Sequence, residues 1–81
     1  MDFLDKFMNK IGQRERARLR PILVAILQNQ LRSLNIKTLQ GHKGYFRCRT
    51  GDIRIIFIKI SEDTNRIIDI DFRGNIYKRW K

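Results

Sequence analysis

The chain has 81 residues, 42% of them hydrophobic, and its 18 lysines and arginines against 8 aspartates and glutamates leave a net charge of +10. A chain of this length makes one domain, spanning 1–81, with a thin core: roughly 60% of the unfolded surface is buried at this size, and the apolar content excludes a disordered polyelectrolyte. The basic excess cannot be neutralised internally and calls for a polyanion or an acidic protein as partner.

The first stretch, "MDFLDKFMNKIG", places Phe3, Leu4, Phe7, Met8 and Ile11 at helical spacing, with Gly12 ending the run. It carries two aspartates and no small-residue cleavage site, so it does not read as a signal peptide. No apolar run approaches the ~20 residues that span a bilayer, and a cytoplasmic protein without a membrane partner is expected. A second stripe follows: Leu19, Ile22, Leu23, Ile26, Leu27, Leu31 and Leu34. It predicts a long helix reaching Leu34 that begins or bends near Pro21, with the polar "RERARLR" before it solvated.

After Leu34 the period changes from helical to alternating. "GYFRCRT", "IRIIFIKI" (53–60) and "RIIDIDF" (66–72) read as strands, separated by turns at "TGD" (50–52) and "SEDTN" (61–65). "RGN" (73–75) breaks the last strand and "IYKRWK" reads as a short tail. Cys48 is the single cysteine, which excludes an internal disulfide and suits a reducing compartment. The expected fold is α+β, with two amino-terminal helices on one face of a three-strand antiparallel meander.

Strand parity sorts the two faces. Phe46, Cys48, Ile55, Phe57, Ile68, Ile70 and Phe72 share the face covered by the helices, and Tyr45, Arg47, Arg49, Arg54, Asp69, Asp71 and Arg73 share the other. Such a face reads either as a solvated surface whose arginines pair with Asp52, Asp69 and Asp71, or as a binding surface. Three features favour binding. Ile56, Ile58 and Ile60 have the parity of Arg54 and want a cover, for which Trp80 is a candidate. Guanidinium groups grip phosphate through two hydrogen bonds. Tyr45 and Tyr77 lie near enough to stack on unpaired bases. RNA is the polyanion that uses cations and rings together.

"LQGHKGYFRCRTGDIRIIF" (39–57), followed by "IIDIDFRGNIYKRW" (67–80), resembles the RelE/ParE superfamily of toxins from toxin–antitoxin pairs, with Leu39, Gly41, Tyr45, Arg47, Arg49, Gly51, Asp52, Arg54, Arg73 and Tyr77 on the family pattern. The resemblance implies a ribosome-dependent mRNA endoribonuclease, held in check by an acidic antitoxin, that uses the ribose 2′-hydroxyl as nucleophile and needs no metal or other cofactor. By position, Arg47 and Arg49 hold the RNA backbone, Arg54 contacts the scissile phosphate, Arg73 assists charge stabilisation and Tyr77 orients the reacting nucleotide. Tyr45, Lys43 and Lys78 are further candidate RNA contacts.

Fixed guanidinium groups facing a phosphorane-like transition state lower its energy, but arginine stays protonated and cannot serve as the base. Tyr77, Lys43, Lys78 and His42 are the candidates for moving protons. Family members often begin with a strand before the first helix, whereas this sequence starts directly in "MDFLDKF": either the strand is lost or the sequence begins after it. Relatives commonly have apolar residues where Asp69 and Asp71 stand, and several have histidine at the position of Phe72. The antitoxin is expected over Ile56, Ile58 and the arginines. Two other readings stay open: a ParE-like inhibitor of DNA gyrase, and a basic RNA- or ribosome-binding module without catalysis.

Overall fold

Asp2 opens the first helix: its carboxylate accepts a hydrogen bond from the Asp5 N–H at 2.9 Å, and α1 runs Phe3–Lys10. The computed structural model describes residues 2–80. Helix α2 spans Gln13–Leu27 and passes through Pro21. It therefore begins well before the expected start, and "RERARLR" is helical. The polar stretch holds its shape through bonds at both flanks. Arg16 Nη1 donates to the carbonyls of Met8 and Ile11, each at 2.8 Å, and closes the end of α1. Arg18 pairs with Glu15 at 2.8 Å and donates to Thr50 Oγ1.

Helix α2 stops at Leu27 although Leu31 and Leu34 continue its apolar phase. Asn29 takes φ 56°; its N–H donates to the Ile26 carbonyl at 3.0 Å and the Gln30 N–H to the Ala25 carbonyl at 2.8 Å. That pair of bonds is a Schellman ending, with asparagine in the left-handed position. The buried Asn65 adds a donor to the same end, bonding the Ile26 carbonyl at 2.8 Å and Asn29 Oδ1 at 3.0 Å. Leu31 and Leu34 pack on the core from the following turn.

The sheet has four strands in the order β1-β2-β3-β4, each pair antiparallel: β1 Asn35–Thr38, β2 Tyr45–Thr50, β3 Ile53–Ser61 and β4 Thr64–Phe72. The expected three-strand meander is thus β2–β3–β4, and β1 adds an edge. Gly51 turns β2 into β3 at φ +60°, a backbone state that side chains disfavour. Helices α1 and α2 cover one face, over Cys48, Ile53, Ile55, Phe57, Ile67 and Ile70.

The β3–β4 register shifts at two places, between Ile56 and Phe57 and between Lys59 and Ser61, and the first overturns a parity assignment. Ile56 pairs with Asp69 but Phe57 pairs with Ile67, so Ile68 is the extra residue of a β-bulge. The bulge moves Ile68 to the opposite face and Ile67 into the core. Phe72 keeps the expected side but sits at the rim, 39% exposed, with its ring 5.3 Å from that of Phe7.

The expected tail is a third helix, α3, over Arg73–Arg79, and it lies on the face away from α1 and α2. Two turns are too few to be stable alone, so packing makes this helix. Ile76 and Ile56 bury each other completely there, joined by Leu39 and flanked by Tyr45, Ile68 and Trp80. Each such buried side chain contributes on the order of 1.5–3 kcal/mol. The cover that Ile56 requires comes from the chain itself, with Trp80 as part of it, which corrects the expectation of a partner over Ile56. Ile60, farther along β3, stays 49% exposed.

Candidate functional site

The cations of the sheet are set against one another. Lys37 of β1 pairs across the ladder with Arg47 of β2, and Arg49 of β2 pairs with Arg54 of β3. Like charges directly opposite destabilise a sheet. The acidic side chains expected to relieve them do not: Asp69 and Asp71 both bond to Arg79 of α3, at 2.9–3.1 Å. Among the described residues, no ion pair involves Lys37, Arg47 or Arg49. The arrangement leaves a site of uncompensated positive charge, which an anion would stabilise.

Arg54 is 3% exposed, so it is no part of an open face. Its Nη1 donates to the carbonyls of Gly51 at 2.8 Å and Ile53 at 3.1 Å, and its Nε donates to Tyr77 Oη at 3.1 Å. The guanidinium carbon also lies 5.9 Å from the centre of the Tyr77 ring. A buried cation survives here because carbonyl and phenol oxygens replace its water. The Arg54 hydrogen bond lowers the pKa of Tyr77 below the usual tyrosine range, and the charges of Arg54, Arg47 and Arg49 add to that against an opposing effect of burial. The phenol is 45% exposed and reachable.

Arg47, Arg49 and Tyr77 meet in a cleft of about 750 Å³ whose walls also include Lys37, Leu39 and Trp80. The cleft joins cations to apolar and aromatic surface, a combination that suits a nucleotide: phosphate on the cations and base on the rings. A larger hollow, about 840 Å³, opens beside the end of α2, between Ala25, Asn29, Arg32 and Lys59. It gathers no comparable group of cations and rings, and volume alone does not make it a site.

The remaining candidates lie apart from this cleft. Arg73 begins α3, where its N–H donates to the Asp52 carbonyl at 2.7 Å, and it is exposed outside the cleft lining. Lys43 belongs to the 39–44 loop and lines a neighbouring depression with His42. Lys78 is exposed on α3. Tyr45 is half-buried, with its ring 5.4 Å from Trp80 and 6.2 Å from His42, so it packs within the domain. Cys48 is buried, and desolvation pushes its thiol up to about 11 against the opposing charge of Arg47, which makes it a core residue and a poor nucleophile. Lys37 and the Asp69–Arg79 pairing went unseen because β1 and α3 did. The even spacing of Lys37 from the arginine register was detectable only once its strand was placed.

No family model matches the chain and no curated protein matches its sequence. No helix among the described residues is long and apolar enough to cross a membrane. Among solved structures, the chain is similar to a chain of the RelB–RelE antitoxin–toxin complex from Methanococcus jannaschii, at 25% identity and a TM-score of 0.71, over 94% of this chain and 91% of that one. This likeness supports a RelE-like toxin fold for the whole domain.

Proposed function

We propose that the protein is the toxin of a toxin–antitoxin pair and cuts mRNA on the ribosome. The observation that carries the reading is the cleft itself. Lys37, Arg47 and Arg49 stand uncompensated beside a phenol whose proton is loosened by Arg54. The similarity to a RelB–RelE complex supports the pairing with an antitoxin. An acidic antitoxin would neutralise the same cations that hold RNA.

In the proposed reaction the ribose 2′-hydroxyl gives up its proton to solvent water as its oxygen bonds to the adjacent phosphorus, and the bond from phosphorus to the 5′-oxygen breaks. Products are a 2′,3′-cyclic phosphate and a free 5′-hydroxyl. Arg47 and Arg49 hold the phosphate and stabilise the added charge of the transition state. Tyr77, as the neutral phenol, gives its proton to the departing 5′-oxygen, and Arg54 stabilises the phenolate until water returns a proton to it. Arg54 thus acts through Tyr77, whereas position alone implied direct contact with the phosphate. Arg73, Lys43 and Lys78 are left as outer contacts to RNA or ribosome.

Purified protein added to ribosomes carrying a defined message should cut that message at the codon being decoded. Intact message together with inhibited gyrase supercoiling would favour the ParE-like reading. Ribosome binding without either effect would favour a non-catalytic module.

A further inference from the structure

Asp69 uses every face of its carboxylate. Oδ2 accepts from Arg79 Nε and Trp80 Nε1, each at 2.9 Å, while Oδ1 accepts from Arg79 Nη2 at 3.1 Å and the Ile70 N–H at 2.9 Å. Three of these bonds tie the last turn of α3 to β4. Asp71 adds a contact from Oδ2 to Arg79 Nη2 at 3.1 Å, with Lys10 of α1 4.0 Å from its other oxygen. The other anchors of α3 are the Arg73 N–H at its start, Asn75 Nδ2 donating to Asp71 Oδ1 at 3.2 Å, the buried Ile76 at its middle, and the Arg54–Tyr77 bond itself.

Seven residues do not make a self-supporting helix, so these anchors decide its rotation. Ile76 and Tyr77 are adjacent and point about 100° apart around the axis. An apolar contact such as Ile76 on Ile56 tolerates some rotation. A two-pronged arginine–carboxylate pair tolerates little. The Asp69 fork therefore stands in a position to aim the phenol two residues before it.

We propose that Asp69 is a positioning residue: by gripping Arg79 and Trp80 it fixes the rotation of α3 that brings Tyr77 Oη within hydrogen-bond distance of Arg54 Nε. The catalytic consequence rests on the ribonuclease reading above, while the geometric claim does not.

The test uses the full chain with Tyr45→Phe, which leaves Tyr77 as the single tyrosine. The phenol is titrated at alkaline pH by its ultraviolet absorbance. The charged groups facing it are Arg54 from β3 and Arg47 and Arg49 from β2. Tyr77 should ionise below the ordinary value of about 10. In Asp69→Asn its titration should move up toward that value, with circular dichroism unchanged. Trp80→Phe, which keeps an aromatic ring but loses the indole N–H together with some packing volume, should move it the same way by less. Message cleavage by Asp69→Asn should fall roughly ten- to hundredfold in kcat, since misplacing a catalytic group has that effect. KM should stay within about threefold, because the phosphate contacts are untouched.

An unmoved Tyr77 titration in folded Asp69→Asn overturns the proposal whatever the activity. Should that variant fail to fold, an unmoved titration in Trp80→Phe overturns it equally. A titration that moves while neither wild type nor variant cuts message supports the latch and rejects the ribonuclease reading.

Discussion

Arg54 Nε lies 3.1 Å from Tyr77 Oη, so a buried guanidinium is bonded to a half-exposed phenol at the wall of a cationic cleft. The bond does two things at once. It satisfies a donor that burial has removed from water, and it favours the phenolate. Tyr77→Phe should lower message cleavage by about a hundredfold, in the range for loss of a general acid, with little change in RNA affinity. Wild-type cleavage should also decline as pH rises through the lowered pKa of Tyr77, because the acid form is then lost. The phenylalanine variant should lack this alkaline decline. A rate profile measured from neutral to alkaline pH decides both points.

Lys37, Arg47 and Arg49 should dominate RNA affinity through charge. Removing one phosphate contact from a single strand lowers the slope of log affinity against log salt by about 0.7. Arg47→Ala and Arg49→Ala should each show that change in titrations of a labelled single-stranded oligonucleotide across a salt series. Lys78→Ala, outside the cleft lining, should change the slope less.

Asp71 makes the fold sensitive to acid. Its burial pushes the pKa up, but bonds from the Phe72 N–H, Asn75 and Arg79, with the charge of Lys10, outweigh that and hold it below the usual carboxylate value of 3.8. A depressed carboxylate contributes stability that is present above the unfolded value and is lost as pH falls through the folded one. Urea midpoints should therefore drop on acidification below about pH 4 in wild type. Asp71→Asn should start from a lower midpoint and show a shallower drop in that window.

Ile76→Ala should unseat α3. Deleting a large buried aliphatic side chain costs about 2–5 kcal/mol, a large fraction of the ~5–15 kcal/mol available to a domain. Trp80 is the single tryptophan and packs on the same cluster, so its emission should shift to the red as α3 leaves the sheet. Urea denaturation followed by that emission gives both the stability loss and the local opening.

Much of this architecture was legible in the sequence because periodicity reports burial. The stripe Phe3–Phe7–Ile11 marks α1, alternation in 45–50 and 66–72 marks β2 and β4, the β-branched run 53–60 marks β3, and strand parity separates Arg47, Arg49 and Arg54 from the helical face. What stayed hidden depended on tertiary partners. The end of α2 is set by Asn29 in a left-handed conformation with Asn65 bonded to it from β4, and neither interrupts the leucine phase. Strand β1 has four residues and one of them, Ile36, packs toward the core, too little for a pattern. The bulge at Ile68 reversed one parity assignment. Helix α3 begins with "RGN", which reads as a turn, and exists because Ile76 finds Ile56. The same hidden helix explains why Asp69 and Asp71 were matched to the wrong arginines: Arg79 reaches them, and Arg47 and Arg49 are left charged for a ligand.

The most direct test is a map of message 5′ ends in cells expressing the wild-type chain, the Arg47→Ala plus Arg49→Ala variant, or Tyr77→Phe. A metal-independent ribosome-bound nuclease working from this cleft predicts new ends in phase with codons for the wild type, and their loss in both variants at equal protein levels. Codon-phased ends that persist at full strength in both variants would place the chemistry elsewhere and contradict the assignment of the cleft.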